Sequence, residues 1–66
     1  MSVGENIRRI REEKGLTQNW VSEKVGIAQA TLCQIERETR NPSLQVGKAI
    51  ADALGCSLDD LLQRRN

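Results

Sequence analysis

Thr17-Gln18-Asn19-Trp20-Val21-Ser22-Glu23-Lys24-Val25-Gly26-Ile27-Ala28-Gln29-Ala30-Thr31-Leu32-Cys33-Gln34-Ile35-Glu36-Arg37 is the stretch that decides how this chain folds. Thr17 carries the side-chain oxygen of a helix N-cap, Val21 and Val25 stand four apart, and Gly26 can take a positive φ, so a short helix ending in a tight turn is predicted. A second helix is predicted over residues 28–37. On its wheel Ala28, Thr31, Leu32 and Ile35 fall on one side, and Gln29, Ala30, Cys33, Gln34 and Arg37 on the other. One face is to be buried, and the other is polar with little charge.

Two short helices joined by a glycine-containing turn can lay the second helix into the major groove of duplex DNA, which is wide enough to admit it. The outward stripe has the chemistry for that task. Gln29 and Gln34 each offer an amide able to bond adenine N6 and N7 together, and the Ala30 methyl can meet a thymine methyl. A glutamine on a helix is ordinarily plain polar surface; here its place on the second helix of the hairpin favours base reading.

Upstream, Ser2 and Glu5 have capping-box spacing, and Val3, Ile7 and Ile10 recur at helical intervals until Gly15, predicting a first helix over residues 3–14. The charges on its other face, Glu5, Arg8, Arg9, Arg11, Glu12, Glu13 and Lys14, read mostly as a solvated surface with weak pairs four apart. Downstream, Asn41-Pro42 interrupts the pattern and Ser43 is placed to cap a fourth helix over residues 44–54, with Leu44, Ile50, Ala51 and Leu54 as its core side. Gly47 lies inside that helix at a cost of about 1 kcal/mol relative to alanine, which a close approach would explain. Gly55 ends it; Ser57 and Asp60 repeat the capping-box spacing, and Leu58, Leu61 and Leu62 form the apolar side of a fifth helix, with residues 63–66 expected to fray. The class is all-α, and the short connections suit a compact bundle.

Composition narrows the function. A chain of 66 residues holds one domain, residues 1–66, with a core small enough to favour association with a partner. Two cysteines without a CxxC pair, and no histidine, leave too few ligands for zinc and no disulfide framework. No apolar run approaches the roughly 20 residues of a membrane span, and no secretory signal is evident, so a cytoplasmic protein is expected. With Trp20 as the single aromatic residue, platforms that stack single-stranded bases are excluded, and any nucleic-acid partner is expected to be duplex. A net charge of +1 predicts modest nonspecific affinity for DNA. An enzyme is not expected: there is no G-x-S-x-G or phosphate-cradling loop, and Asp59 and Asp60 suit the start of a helix. No cofactor or small-molecule ligand is indicated.

The stretches Leu16-Thr17-Gln18, Lys24-Val25-Gly26-Ile27, Ile35-Glu36-Arg37, Asn41-Pro42-Ser43 and Ala53-Leu54-Gly55 occur together in an order and spacing that resembles the phage-repressor and Cro type of helix-turn-helix family, over roughly residues 5–62. The resemblance implies a lambda-repressor-like five-helix bundle whose helices two and three form the helix-turn-helix. It implies base-facing positions at Gln29, Ala30 and Gln34, in agreement with the wheel, which also turns Cys33 to that side, as a base contact, a redox-sensitive thiol or a small tolerated residue. It also implies phosphate contacts at Thr17, Gln18, Arg11, Arg37, Arg40 and Asn41. Arg11 and Glu36 match positions that form an ion pair in some members, a brace, a phosphate contact or both.

The chain departs from the pattern in places. Glu38 stands where glycine is common after the Ile-Glu-Arg segment, at about 1 kcal/mol or more if the left-handed conformation is kept. Ala28 replaces the usual serine or threonine cap, worth about 1 kcal/mol. Cys33 has no basic neighbour close in sequence to activate it, and Cys56 reads as a small buried hydrophobe. Trp20 is expected to pack partly exposed against a neighbouring helix or a second subunit.

The resulting expectation is a sequence-specific DNA-binding transcriptional regulator, a repressor acting as a homodimer on a near-palindromic operator, with half-sites about 34 Å apart and dimerisation through Leu58 and Leu62. The alternatives are an antitoxin, the controller of a restriction-modification operon, or a protein-interaction module that has lost DNA binding. Gln18, Gln29, Gln34 and Arg37 argue against the last of these.

Overall fold

A computed structural model describes residues 2–63. Among them five α-helices follow in order, α1 (Val3–Glu13), α2 (Gln18–Val25), α3 (Gln29–Glu36), α4 (Leu44–Leu54) and α5 (Leu58–Leu62), and there are no strands. Of the tail expected to fray, residues 64–66 lie outside the described residues.

The helix starts follow the side-chain oxygens in the sequence. Ser2 accepts from the Glu5 amide in a reciprocal capping box, Ser57 and Asp60 form a second, and Thr17 and Ser43 accept from the amides of Trp20 and Val46. The critical stop is Gly26, which closes α2 in the left-handed region at φ +85°. Its amide and that of Ile27 both donate to the Ser22 carbonyl, and α3 starts three residues later.

Each helix contributes to one core. Ile7 and Ile10 of α1, Val21 of α2, Leu32 and Ile35 of α3, Ile50, Ala51 and Leu54 of α4, and Leu61 of α5 are buried together. Burial of such large aliphatic side chains supplies about 1.5–3 kcal/mol each. α1 rests on α5 and α3, and α2 lies against both α3 and α4. With Leu32 and Ile35 anchored, the rotation of α3 about its axis is fixed.

Three core expectations are corrected. Ala28 is exposed, because it is the extended N-cap of α3 and precedes the first helical residue. Leu44 is 75 % exposed, because it lies on the rim of an apolar groove with Leu58 and Leu62 rather than in the core. Gly47 is not demanded by a close approach, since a β-carbon there would meet Leu58 Cδ1 at an ordinary 3.6 Å. The close approach is at Gly4, where a β-carbon would overlap the carbonyl oxygen of Ile35 and force α1 away from the end of α3.

Two buried polar groups complete the frame. Asn6 Nδ2 donates to the carbonyls of Leu61 at 2.9 Å and Gln63 at 2.8 Å, tying the end of α5 to α1. Ser22 returns its hydroxyl to the Asn19 carbonyl at 2.9 Å, which lets a polar side chain face the core inside α2.

Candidate nucleic-acid interface

Because Leu32 and Ile35 face inward, the opposite side of α3 faces solvent. Gln29, Ala30, Gln34 and Arg37 are exposed there, and Cys33 is half-buried between them. Arg40 and Asn41, also exposed, follow in the loop after α3. Gln34 already has a partner, as its Oε1 accepts from Arg40 Nη1 at 3.4 Å, leaving the Nε2 donors available.

Glu36 ends α3 and is buried, its side chain only 2 % exposed, so its charge requires compensation. Arg11 supplies it as a fork, Nε to Oε2 at 2.8 Å and Nη2 to Oε1 at 3.1 Å. That bond, against the opposing effect of burial, raises the Arg11 pKa above its ordinary value. Arg11 Nη1 also donates to the Leu16 carbonyl at 2.8 Å, which fixes the turn leading into α2. Gln18, the first residue of α2, donates from Nε2 to Glu36 Oε1 at 3.0 Å. One carboxylate thus joins α1, α2 and α3. The Arg11 guanidinium carries five N–H bonds, of which these contacts use three.

Thr17 has its side-chain oxygen committed to the Trp20 amide at 3.0 Å, so as a hydrogen-bond acceptor it orders the start of α2. Glu38 takes a positive φ of 66° despite being non-glycine. Its carboxylate accepts from the Ser2 hydroxyl, a tie to the start of α1 that offsets part of the backbone cost.

The residues named for base and phosphate contact gather around α3, the start of α2 and the loop after α3, with Arg11 reaching in from α1, whereas Leu58 and Leu62 line an apolar groove that meets this set only at Asn41. Leu58 is half-buried and packs on the core, and Leu62 is 55 % exposed at the rim of the apolar groove. Trp20 is 40 % exposed, with the Lys24 ammonium 5.3 Å from its ring centroid.

Sequence reasoning missed Arg8. It borders, with Arg11, Gln18, Cys33, Glu36 and Arg37, a polar depression between α1, α2 and α3. No signal marked it, because Arg8 and Glu12 four apart on a charged face read as ordinary surface.

A helix-turn-helix family model matches residues 7–61. Over 62 residues the chain is 40 % identical to an immunity repressor protein of Bacillus phage phi105, a match covering 94 % of this chain and 43 % of that protein. The chain thus spans less than half the length of this relative. Among solved structures, the P22 c2 repressor in complex with a synthetic operator superposes with a TM-score of 0.88 at 32 % identity, covering 96 % of both chains. The N-terminal DNA-binding domain of SinR from Bacillus subtilis does so with a TM-score of 0.86 at 34 % identity, covering 97 % of this chain and 94 % of that one.

The chain belongs to the helix-turn-helix family, in its phage-repressor and Cro type. Family and fold are those of DNA-binding transcriptional regulators rather than enzymes. Among the described residues no helix is long and apolar enough to cross a membrane.

Proposed function

We propose that this chain is a transcriptional repressor that recognises a specific duplex DNA sequence by docking α3 in the major groove as a homodimer. The observation that carries the reading is the exposed stripe Gln29, Ala30 and Gln34 on a helix held in rotation by Leu32, Ile35 and the Arg11–Glu36–Gln18 brace.

Gln29 and Gln34 read adenine through their amides, Gln34 exchanging Arg40 for a base edge, and Ala30 packs on a thymine methyl. Each well-made glutamine–adenine pair discriminates by about 1–3 kcal/mol. Cys33 lies against the bases between them. Gln18, Arg37, Arg40 and Asn41 hold the sugar-phosphate backbone, together with the start of α2 at Thr17 and the two remaining donors of Arg11. These contacts set register and carry no sequence preference themselves. The similarity to the P22 c2 repressor, whose structure contains an operator, supports this docking.

Size supports the homodimer reading: the fold extends 31 Å along its longest axis and presents one α3, and a second copy would bring a second α3 to the next major-groove face, about 34 Å away. The exposed Leu44 and Leu62 beside Leu58 supply the apolar surface for that pairing.

Selection of bound duplexes from a randomised pool at fixed salt tests the reading. Recovery of a two-fold related motif is the expected result; recovery of sequences with no shared motif would overturn it.

A further inference from the structure

The polar depression bordered by Arg8, Arg11, Gln18, Cys33, Glu36 and Arg37 has a neutral floor, because Arg11 and Glu36 cancel. Its charge is set by the two other arginines. Arg37 has no ion-pair partner among the described residues. Arg8 is held by Glu12 one turn along α1, Nε to Oε2 at 3.3 Å, with the two side chains 64 % and 55 % exposed. A pair so exposed is weak and screened by salt. Arg8 can therefore change partners at little cost, and the depression it borders continues onto the outward face of α3 through Cys33 and Arg37.

We propose that Arg8 and Arg37 close from opposite sides on one DNA backbone phosphate seated over the Arg11–Glu36 floor, and that Glu12 competes with this phosphate for Arg8. The assignment rests on the DNA-binding reading above. Two guanidinium forks suit the tetrahedral, delocalised oxygens of a phosphodiester, and the buried brace keeps the floor from moving as the arms close. Arg8 in this role is a phosphate contact supplied by α1, outside the helix-turn-helix, and Glu12 is an internal competitor that lowers affinity in the free protein.

The test is a double-mutant cycle on the duplex enriched by wild type, with Kd measured from low to moderate salt for wild type, Arg8→Ala, Glu12→Gln and the double variant. Arg8→Ala is expected to weaken binding about tenfold at low salt and to lower the slope of log affinity against log salt by about one, leaving the preferred motif unchanged. Glu12→Gln is expected to tighten binding severalfold, and that gain is expected to vanish in the double variant. Melting temperatures of the exposed-site variants report that the fold is intact. An unchanged slope in Arg8→Ala, or an equal gain from Glu12→Gln with and without Arg8, would overturn the seat while leaving DNA binding standing. Inorganic phosphate replacing chloride at equal ionic strength separates the sources of the anion. Competition by it that disappears in Arg8→Ala is the expected result, since ion and duplex then share the seat; phosphate that binds through Arg8 yet leaves duplex affinity unchanged would assign the depression to a free ion and overturn the DNA assignment. Failure of wild type to enrich any duplex would overturn the DNA-binding reading and the seat with it.

Discussion

Gln18 opens α2 and Glu36 closes α3, and the two are joined at 3.0 Å through the amide of one and the carboxylate of the other. The bond spans the helix-turn-helix from its first helical residue to its last. It shares its acceptor oxygen with Arg11 of α1, so the hairpin is clamped to the remainder of the bundle at the point where DNA would be gripped.

Removing that acceptor exposes how far the brace stabilises the fold. Glu36→Ala strands the guanidinium of Arg11, whose side chain is 11 % exposed, and leaves Gln18 without its partner. Loss of one member of a buried pair costs about 3–5 kcal/mol, enough to lower the melting temperature of so small a fold by well over about 10 °C. Glu36→Gln is expected to be milder, as it keeps an acceptor for Gln18. Thermal melts of both variants check this; equal melting of Glu36→Ala and wild type would contradict it.

The pH dependence of stability is set at the helix starts. Glu5 and Asp60 are held below their ordinary carboxylate pKa by backbone and side-chain hydrogen bonds from Ser2 and Ser57 respectively. A depressed folded-state value gives stability that is present above the unfolded value and lost as pH falls through the folded one, so the loss lies in the acid range. The raised Arg11 value acts at the opposite extreme, its contribution being lost only as strongly alkaline pH passes through the folded pKa. Stability is therefore expected to be flat across neutral pH with respect to these groups. Ser57→Ala is expected to cost about 1 kcal/mol at pH 7 and to shrink the acid-induced loss, as followed by urea titrations at several pH values. An unchanged acid limb would contradict the assignment.

Glu38 offers a stabilising substitution. Its left-handed backbone favours glycine by about 1 kcal/mol, while the tie to Ser2 that Glu38→Gly removes is exposed and weak. A rise of a few degrees in melting temperature is expected, and a fall would show that the Ser2 contact outweighs the strain.

The two cysteines are expected to separate chemically. Cys33 lies on the outward face of α3, whereas Cys56 follows α4, and burial, with a smaller effect of Asp60, raises its thiol pKa. Maleimide labelling near neutral pH followed by mass spectrometry is expected to modify Cys33 first. Bound duplex is expected to slow labelling of Cys33 and leave Cys56 unchanged. Equal protection of both, or of neither, would contradict the placement of Cys33 at the DNA.

Most of the fold was legible because its punctuation is local. Ser2, Thr17, Ser43 and Ser57 start helices, Gly26 and Gly55 stop them, and each acts through a neighbour within a few residues. What escaped depends on partners distant in sequence. Asn6 carries no signal in the sequence, because the acceptors for its buried amide, Leu61 and Gln63, stand fifty-five and fifty-seven positions on. Gly4 is explained only by the Ile35 carbonyl, and Leu44 has the hydrophobicity of a core residue but lies on the rim of a groove. At the candidate site, the exposed stripe of α3 followed from its period, whereas the bonds of Glu36 to Gln18 and of Gln34 to Arg40 join side chains whose distance no periodicity specifies. Arg8 was hidden by its pairing pattern with Glu12.

The most direct test of the central claim couples one side chain to one base pair. On the duplex enriched by wild type, each base pair of a half-site is replaced in turn, and Kd is measured for wild type, Gln29→Ala and Gln34→Ala at one salt concentration. The account predicts that each variant loses discrimination, by about 1–3 kcal/mol, at one adenine-containing position of its own and keeps it elsewhere. Uniform weakening at every position, or undiminished discrimination in both variants, would contradict base reading by α3.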